Sequence, residues 1–223
     1  MYLGESVEIA IPELPECSVS RNLSDPLQLA AKRGFDVLAS LLLIALLFPI
    51  IVLEALLIWL TSGSPILFRW HVVGLDGRPF IGYKFRTMIV GADGLRKGLE
   101  NQNEMTGPFF KMRNDPRVTR LGRILRRFSL DELPQLWSIL IGDMSFVGPR
   151  PTQTFEFEQL DARQRARTLV RPGAISQWIV SGKSSCFEDM IELDLQYISQ
   201  WSFWTDIQVL CKALPYVVFG KNF

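Results

Sequence analysis

Two adjacent acids, Asp131 and Glu132, stand in the stretch RRFSLDELPQL directly after the most basic part of the chain. Residues 111–127 hold seven bases (Lys111, Arg113, Arg117, Arg120, Arg123, Arg126 and Arg127) against one acid, Asp115. A carboxylate pair can do chemistry or help hold a hard cation such as Mg²⁺, which takes oxygen ligands. It can also simply start a helix. Ser129 and Glu132 have the capping-box spacing, in which hydroxyl and carboxylate each satisfy a backbone N–H. Pro134 strains that reading, because a proline well inside a helix removes a donor. With Pro134 as the first helical residue instead, both acids lie at the positive end of the helix dipole, which favours their ionised forms. The motif alone leaves both readings open. Further on, Pro149-Arg150-Pro151 fixes the backbone on either side of a guanidinium. That geometry suits bidentate phosphate recognition, and equally a stiff turn.

Other chemistries are largely excluded. Cys17, Cys186 and Cys211 form no close pair and His71 is the single histidine, which leaves no Cys/His zinc site. No G-x-S-x-G elbow is present for a His-based triad. The stretch SGKSS (181–185) resembles a phosphate loop only superficially, because Gln177 occupies the position where that motif requires glycine. Unpatterned cysteines suit a reducing compartment. With 24 basic and 23 acidic residues, no global charge selects a nucleic acid. The basic run also lacks the interleaved aromatics of a single-strand binder.

These residues need elements to position them. Residues 1–31 carry five acids and one base, are punctuated by prolines, and have no apolar core or cleavable signal. They read as a poorly ordered leader. Residues 32–61 hold a run of apolar or small residues, unbroken from Val37 to Leu53. As a helix, Phe35–Leu60 would measure about 39 Å, longer than the hydrocarbon core of roughly 30 Å. Pro49 interrupts the run, and bases flank both sides: Lys32 and Arg33 before it, Arg69, Lys84 and Arg86 after it. A kink and two cytoplasm-seeking flanks favour a helix that bends and leaves on the face it entered, over a simple span.

Residues 62–223 read as one catalytic unit. Ser62–Met88 looks like short strands split by turns at Gly74, Asp76-Gly77 and Pro79. A loop with a little helix covers 91–108. Over Asn114–Phe128 the spacing predicts an amphipathic helix, with Asp115 as cap and Pro116 in first position. Its apolar stripe of Val118, Leu121, Leu125 and Phe128, with arginines largely off it, suits a membrane interface as well as an ordinary surface. Then come a helix from Leu133, a Gly-Asp turn, a short strand and the Pro-Arg-Pro stretch. A charged surface helix follows over 154–173, and the chain closes with an amphipathic region rich in Trp and Tyr.

Taken together, KRGFD (32–36), YKFRTM (83–88), the block Asp115–Pro151, RPG (171–173) and ELD (192–194) resemble the bacterial sugar transferases. These are monotopic polyprenyl-phosphate glycosyl-1-phosphate transferases. The resemblance covers roughly 32–220 and implies a helix-rich α/β fold with a small sheet. It also implies a re-entrant helix bent at Pro49, interfacial amphipathic helices, and a site at the cytoplasmic face of the bacterial inner membrane. The chain looks like a stand-alone catalytic unit of that family. The implied reaction transfers a sugar 1-phosphate from a UDP-sugar to undecaprenyl phosphate and releases UMP, which initiates exopolysaccharide, O-antigen or other glycoconjugate synthesis.

Mapped residue by residue, the resemblance makes Asp131 the nucleophile that forms a covalent phosphosugar intermediate, and Glu132 the acid that shares Mg²⁺ with it. Lys84, Arg86 and Arg126 fall at basic positions near the substrate phosphates. Pro149, Arg150 and Pro151 match the motif associated with the polyprenyl phosphate. Arg171 opens the family's RPG, a substrate-side motif, and Asp194 matches an acidic position tied to metal or substrate. Lys32, Arg33 and Asp36 match the start of the membrane helix, in a structural and headgroup-directed role. One segment departs from the family. AISQWIVSGK (174–183) replaces its Thr-Gly and Gln and puts Lys183 where arginine is usual, which leaves the donor sugar open. GPFFKMRNDPRVT and YISQWSFWTDIQVL look most like initiators that use UDP-galactose or UDP-glucose. The implied partners are a UDP-sugar, undecaprenyl phosphate and membrane lipid, with no nucleic acid and with a homodimer left open. The competing readings are a glycosyltransferase that releases UDP and a non-catalytic membrane scaffold for polysaccharide assembly.

Overall fold

A computed structural model describes Leu23 and residues 25–218. Most of the stretch read as a leader, residues 1–22 and 24, lies outside the described residues. The first helix, α1, spans Pro26–Ser62 and thus begins inside that stretch. Asp25 caps it, with Oδ1 accepting from the N–H of Leu27 at 2.9 Å. Pro26 takes the first turn, where its missing N–H leaves nothing unsatisfied. The helix runs through Pro49 and stops at Gly63, whose φ of 69° suits glycine. Of the described helices, α1 alone is long and apolar enough to cross a membrane.

Its packing is uneven. Phe35, Ala39, Leu43 and Ile44 rest on the main core, while Ile51, Ala55 and Ile58 rest on Phe85 and Leu125. Between and outside these contacts Leu42, Leu46, Phe48 and Leu53 are exposed. Both arms of the helix therefore lie on one globular body, while its apolar outer face is uncovered among the described residues.

Strand β1 (Leu67–Val73) pairs antiparallel with β2 (Pro79–Phe85), Leu67 opposite Phe85 and Val73 opposite Pro79. The turn between them places Asp76 and Gly77 at positive φ, as the Asp-Gly pair predicts. Residues 92–102 form short 3₁₀ turns. Helix α2 is shorter than the sequence predicts, Arg120–Arg127. Its cap is Thr119, whose Oγ1 accepts from Gly122 N–H at 2.9 Å. Asp115 is occupied elsewhere, clamping Arg117 through its N–H, Nε and Nη2. Gly122 permits close docking, since a Cβ there would sit 2.1 Å from the carbonyl oxygen of Thr87.

Helix α3 (Gln135–Ile141) starts just after Pro134 and ends at left-handed Gly142. Strand β3 (Ser145–Val147) pairs parallel with β5 (Gly173–Ile175). Between them β4 (Thr152–Gln153) extends the first sheet in the order β2-β1-β4. The expected long surface helix over 154–173 is broken into α4 (Thr154–Phe157), α5 (Ala162–Arg165) and a 3₁₀ turn. Asp161 makes a capping box with Gln164 and restarts the chain there. Helices α6 (Gln177–Val180), α7 (Phe187–Ser199) and α8 (Phe203–Val218) close the body. The core gathers Met144, Val147, Met190, Ile191, Ile198 and Trp201. The result is the expected helix-rich fold with a small sheet and one long apolar helix.

Candidate active site

Asp131 lies in a single 3₁₀ turn, Leu130–Glu132, that links α2 to α3. The link reverses at Ser129, which takes the left-handed conformation with φ 55° and makes no side-chain cap bond. The expected capping box is therefore not formed, because a left-handed residue cannot present its hydroxyl to the following N–H groups as an extended cap does. Leu130 and Leu133, on either side of the acids, pack on the Phe85–Leu125–Ile58 cluster. That apolar footing holds the turn against the end of β2 and leaves Asp131 only 8% exposed.

The two acids have separate environments. Glu132 Oε1 accepts from Lys84 Nζ at 2.8 Å, and the ammonium also lies 4.4 Å from the ring centroid of Trp70. Burial works to raise the Glu132 pKa, but Lys84 outweighs it, helped by Arg150 and Lys183, so the carboxyl lies below its ordinary value. Asp131 moves the other way. Burial first and the Glu132 charge second push it up to about 6, with Lys84 and Arg126 opposing. Such a carboxylate is ionised at neutral pH yet more basic than an ordinary aspartate. Arg126 donates from Nε to Thr87 Oγ1 at 2.9 Å, and its charge acts on Asp131, Asp115 and Glu132.

Arg150 acts on Glu132 by its charge, its guanidinium carbon 5.5 Å from the Trp178 ring centroid. The turn that carries it is fixed by backbone. Gly148 and Gly173 face each other so closely that a Cβ on Gly173 would lie 2.0 Å from Gly148 N. Gly173 N–H then donates to Pro149 O at 2.9 Å. Beneath the turn, Arg167 Nη2 donates to the carbonyl of Arg150 at 2.9 Å and pairs with Asp194. Both members of that pair are 1% exposed. Burial pushes the Asp194 carboxyl up to about 6 while Arg167 pulls it down.

The structure thus brings Lys84, Arg126, Asp131, Glu132 and Arg150 together, and sets other candidates apart. Arg86 turns to cap the end of α1, donating from Nη2 to the carbonyls of Ser62 and Gly63. Arg171 donates to Gly142 O at 2.7 Å, past the far end of α3. Asp194 lies under the Pro149–Pro151 turn, sealed from solvent. The charged residues of KRGFD all engage protein. Lys32 donates to Val147 O at 3.0 Å and pairs with Asp206. Arg33 reaches the carbonyls of Ile139 and Leu140 at 2.7 and 2.6 Å. Asp36 Oδ1 accepts from Ser145 Oγ and Phe146 N–H at 3.2 and 3.1 Å. These bonds lock the first arm of α1 to α3 and β3.

Two features were not singled out as site residues from sequence. Glu54, on α1, is 3% exposed, and neither carboxylate oxygen has a hydrogen-bond partner among the described residues. Its turn of helix packs on the apolar footing of Asp131, whose charge acts on it. Lys111 and Lys183 extend the cation group, Lys111 at Trp178 and Lys183 by its charge on Glu132. Lys111 Nζ lies 5.4 Å from that ring centroid and donates to Lys183 O at 3.2 Å. Lys183 follows Gly182 in a positive-φ pair, at the position where the sequence departs from the family's arginine.

Among the described residues no three His, Cys, Asp or Glu side chains gather as a ready metal cage. Asp131 and Glu132 supply two adjacent carboxylates, enough for a Mg²⁺ whose other ligands are phosphate and water. The push that Glu132 exerts on Asp131 is the kind of repulsion a divalent cation relieves.

The family described as "Bacterial sugar transferase" matches residues 27–220. A galactosyl transferase CpsE of Streptococcus agalactiae is 41% identical over 163 residues, which is 72% of this chain and 36% of that protein. A UDP-galactose-lipid carrier transferase of Erwinia amylovora is 37% identical over 98% of this chain and 46% of its own length. The exopolysaccharide production protein ExoY of Rhizobium meliloti is 35% identical over 86% of this chain and 87% of its own. The chain therefore spans less than half of the first two relatives and most of the third.

Proposed function

The chain belongs to the bacterial sugar transferase family, and from that premise we propose that it moves a sugar 1-phosphate from a UDP-sugar to undecaprenyl phosphate and releases UMP. The observation that carries this reading is Asp131: a buried carboxylate, pushed up to about 6, set between Lys84 and Arg126 while Glu132 is held by Lys84. The Asp131 carboxylate attacks the β-phosphorus of the donor. The bond from that phosphorus to the bridging oxygen breaks, its electron pair leaves with UMP, and an acyl phosphate joins Asp131 to the sugar. A phosphate oxygen of the polyprenyl substrate then attacks the same phosphorus. Asp131 departs as a carboxylate, leaving a polyprenyl diphosphate sugar. Splitting the transfer in two lets one carboxylate serve both half-reactions.

Lys84 keeps Glu132 neutralised so that it does not repel the diphosphate, and Arg126 faces the attacked phosphoryl group. Asp131 and Glu132 are the residues that would hold Mg²⁺, which when bound supplies neutralisation of charge on the phosphates. Arg150 is assigned to the incoming lipid phosphate.

The same reading makes α1 re-entrant, with both flanks on the cytoplasmic side of the bacterial inner membrane. Its support is that Phe35–Ile44 and Ile51–Ile58 rest on one globular body while Leu46 and Phe48 are exposed near Pro49. A helix spanning the bilayer would carry its second arm away from that body. The donor is UDP-galactose or UDP-glucose; the relatives from Streptococcus agalactiae and Erwinia amylovora carry names that point to galactose. The product would initiate exopolysaccharide or O-antigen synthesis.

The test incubates the purified protein with undecaprenyl phosphate, Mg²⁺ and a panel of UDP-sugars, and identifies the nucleotide released. UMP, lost on Asp131→Asn, is the expected result. UDP would replace this mechanism with direct glycosyl transfer, and no nucleotide from any donor would leave a scaffold.

A further inference from the structure

Lys84 serves both acids of the site from the end of a flexible stem. Its ammonium pairs with Glu132 at 2.8 Å and acts by its charge on Asp131. A lysine head is compact and strongly hydrated, and its four-carbon chain turns freely, so one contact to an acid does not fix it. A second contact is the ring of Trp70, whose centroid lies 4.4 Å from the same ammonium. We propose that Trp70, seated across Gly82, is a positioning residue that holds the Lys84 ammonium at the paired acids. The consequence for turnover rests on the reaction proposed above; the geometry does not.

Three observations converge on this role. The first is register. Trp70 in β1 stands opposite Gly82 in β2, and Phe68 stands opposite Lys84. Residues two apart on a strand share a face. Trp70 and Lys84 are therefore diagonal neighbours on one face of the ladder, a separation that an aromatic ring and a long side chain bridge. Strand pairing alone brings the cation to the indole.

The second is the glycine. A Cβ on Gly82 would lie 2.2 Å from Trp70 Nε1, and 2.8 and 2.9 Å from Cδ1 and Cε2. The indole thus fills the space that a side chain would occupy. Gly82 pairs within the regular ladder, and its φ lies outside the left-handed region, so the backbone does not call for glycine. Glycine weakens a strand interior and marks the close approach of another group. Here that group is the ring that meets Lys84.

The third is cost. Trp70 is buried, and its Nε1 has no hydrogen-bond partner among the described residues. A buried donor left unmet costs free energy, so the N–H does not explain where the ring sits. Its π face does. Tryptophan is the best aromatic partner for an ammonium, and the attraction strengthens where water is excluded.

The test reads the position of Lys84 apart from turnover. Acetylation of Lys84 by acetic anhydride would be followed by mass spectrometry in detergent, with exposed Lys97 as internal reference. Two variants displace the ring by different routes. Trp70→Leu removes it, whereas Gly82→Ala pushes it aside and leaves Trp70 and Lys84 in the chain. Each is expected to speed Lys84 labelling about threefold and to slow UMP release about tenfold. Trp70→Phe keeps an aromatic face and should recover most of both. In a Lys84→Met background, Trp70→Leu should cost no more than about twofold further, because the group it positions is gone. Unchanged Lys84 labelling in folded Trp70→Leu and Gly82→Ala would overturn the positioning role. So would a full tenfold further loss in the Lys84→Met background, which would make Trp70 a packing residue of the sheet. If the wild type releases no UMP from any donor, the proposed reaction fails, and the labelling comparison still decides whether Trp70 holds Lys84.

Discussion

Lys84 Nζ lies 2.8 Å from Glu132 Oε1, and that contact holds Glu132 below its ordinary range while burial and the Glu132 charge push its neighbour Asp131 up. The same ammonium lowers both carboxyls, so removing it should disturb the nucleophile as well as its partner. In Lys84→Met, Asp131 would titrate above its present value of about 6. The acid limb of a pH–rate profile for UMP release should then shift upward, with activity at pH 7 down about a hundredfold. An unshifted limb would mean that Lys84 serves substrate binding alone.

Asp131 itself should be a liability to stability. Its folded pKa of about 6 lies above the ordinary 3.8, so the folded state binds the proton more tightly than the unfolded chain. Ionisation therefore destabilises the fold above pH 6, and the penalty fades as pH falls toward 4. A shift of this size corresponds to about 3 kcal/mol. Asp131→Asn should melt higher than wild type at pH 8, with the difference shrinking at pH 4.5, while UMP release is abolished. A lower melting temperature at pH 8 would show that the charge is paired rather than strained.

Glu54 invites a similar test with a different cause. A buried carboxylate without a hydrogen-bond partner costs free energy in either protonation state. Glu54→Met keeps the volume and should raise the melting temperature in detergent, by about 1–3 kcal/mol of stability. A fall would reveal a partner for the carboxylate in the intact protein.

Asp36 shares the lock between α1 and the body with Lys32 and Arg33, and it accepts from both Ser145 and Phe146. Asp36→Ala leaves a buried hydroxyl and a buried N–H unmet, at about 1–3 kcal/mol each. Hydrogen exchange at the Phe146 amide should accelerate more than at the β1–β2 ladder. Uniform acceleration across both would indicate global destabilisation rather than a released helix.

What the sequence made legible follows from where each signal resides. Asp-Gly at 76–77 acts through a local backbone rule, and the structure places it at positive φ in the β1–β2 turn as that rule leads. Side-chain direction is not local. Lys84 and Arg86 are two residues apart, yet β2 ends at Phe85 and Arg86 turns back to the carbonyls ending α1. Arg171 and Arg150 both adjoin prolines, yet only Arg150 reaches the site. The capping box at Ser129–Glu132 had the right spacing but needed an extended Ser129, and the reversal from α2 to α3 forces φ 55° there. Lys111 and Lys183 meet across 72 positions, a distance at which no spacing rule operates.

Asp194 separates positioning from chemistry most clearly. It touches no solvent, and through Arg167 it supports the carbonyl of Arg150. Breaking one half of a buried ion pair is strongly destabilising, by about 3–5 kcal/mol, because it strands the other charge. Asp194→Leu alone should therefore lower the melting temperature sharply. Replacing both partners with apolar residues of similar volume is often neutral or stabilising, so Arg167→Met with Asp194→Leu should recover most of that loss. Activity should not return with it, because the carbonyl of Arg150 has lost its donor and the turn its support. The expected signature is a raised KM for polyprenyl phosphate in the double variant, with the KM for the UDP-sugar close to wild type. If activity recovers together with stability, the pair only fills the core and Arg150 is positioned by its prolines and the Gly148–Gly173 contact alone.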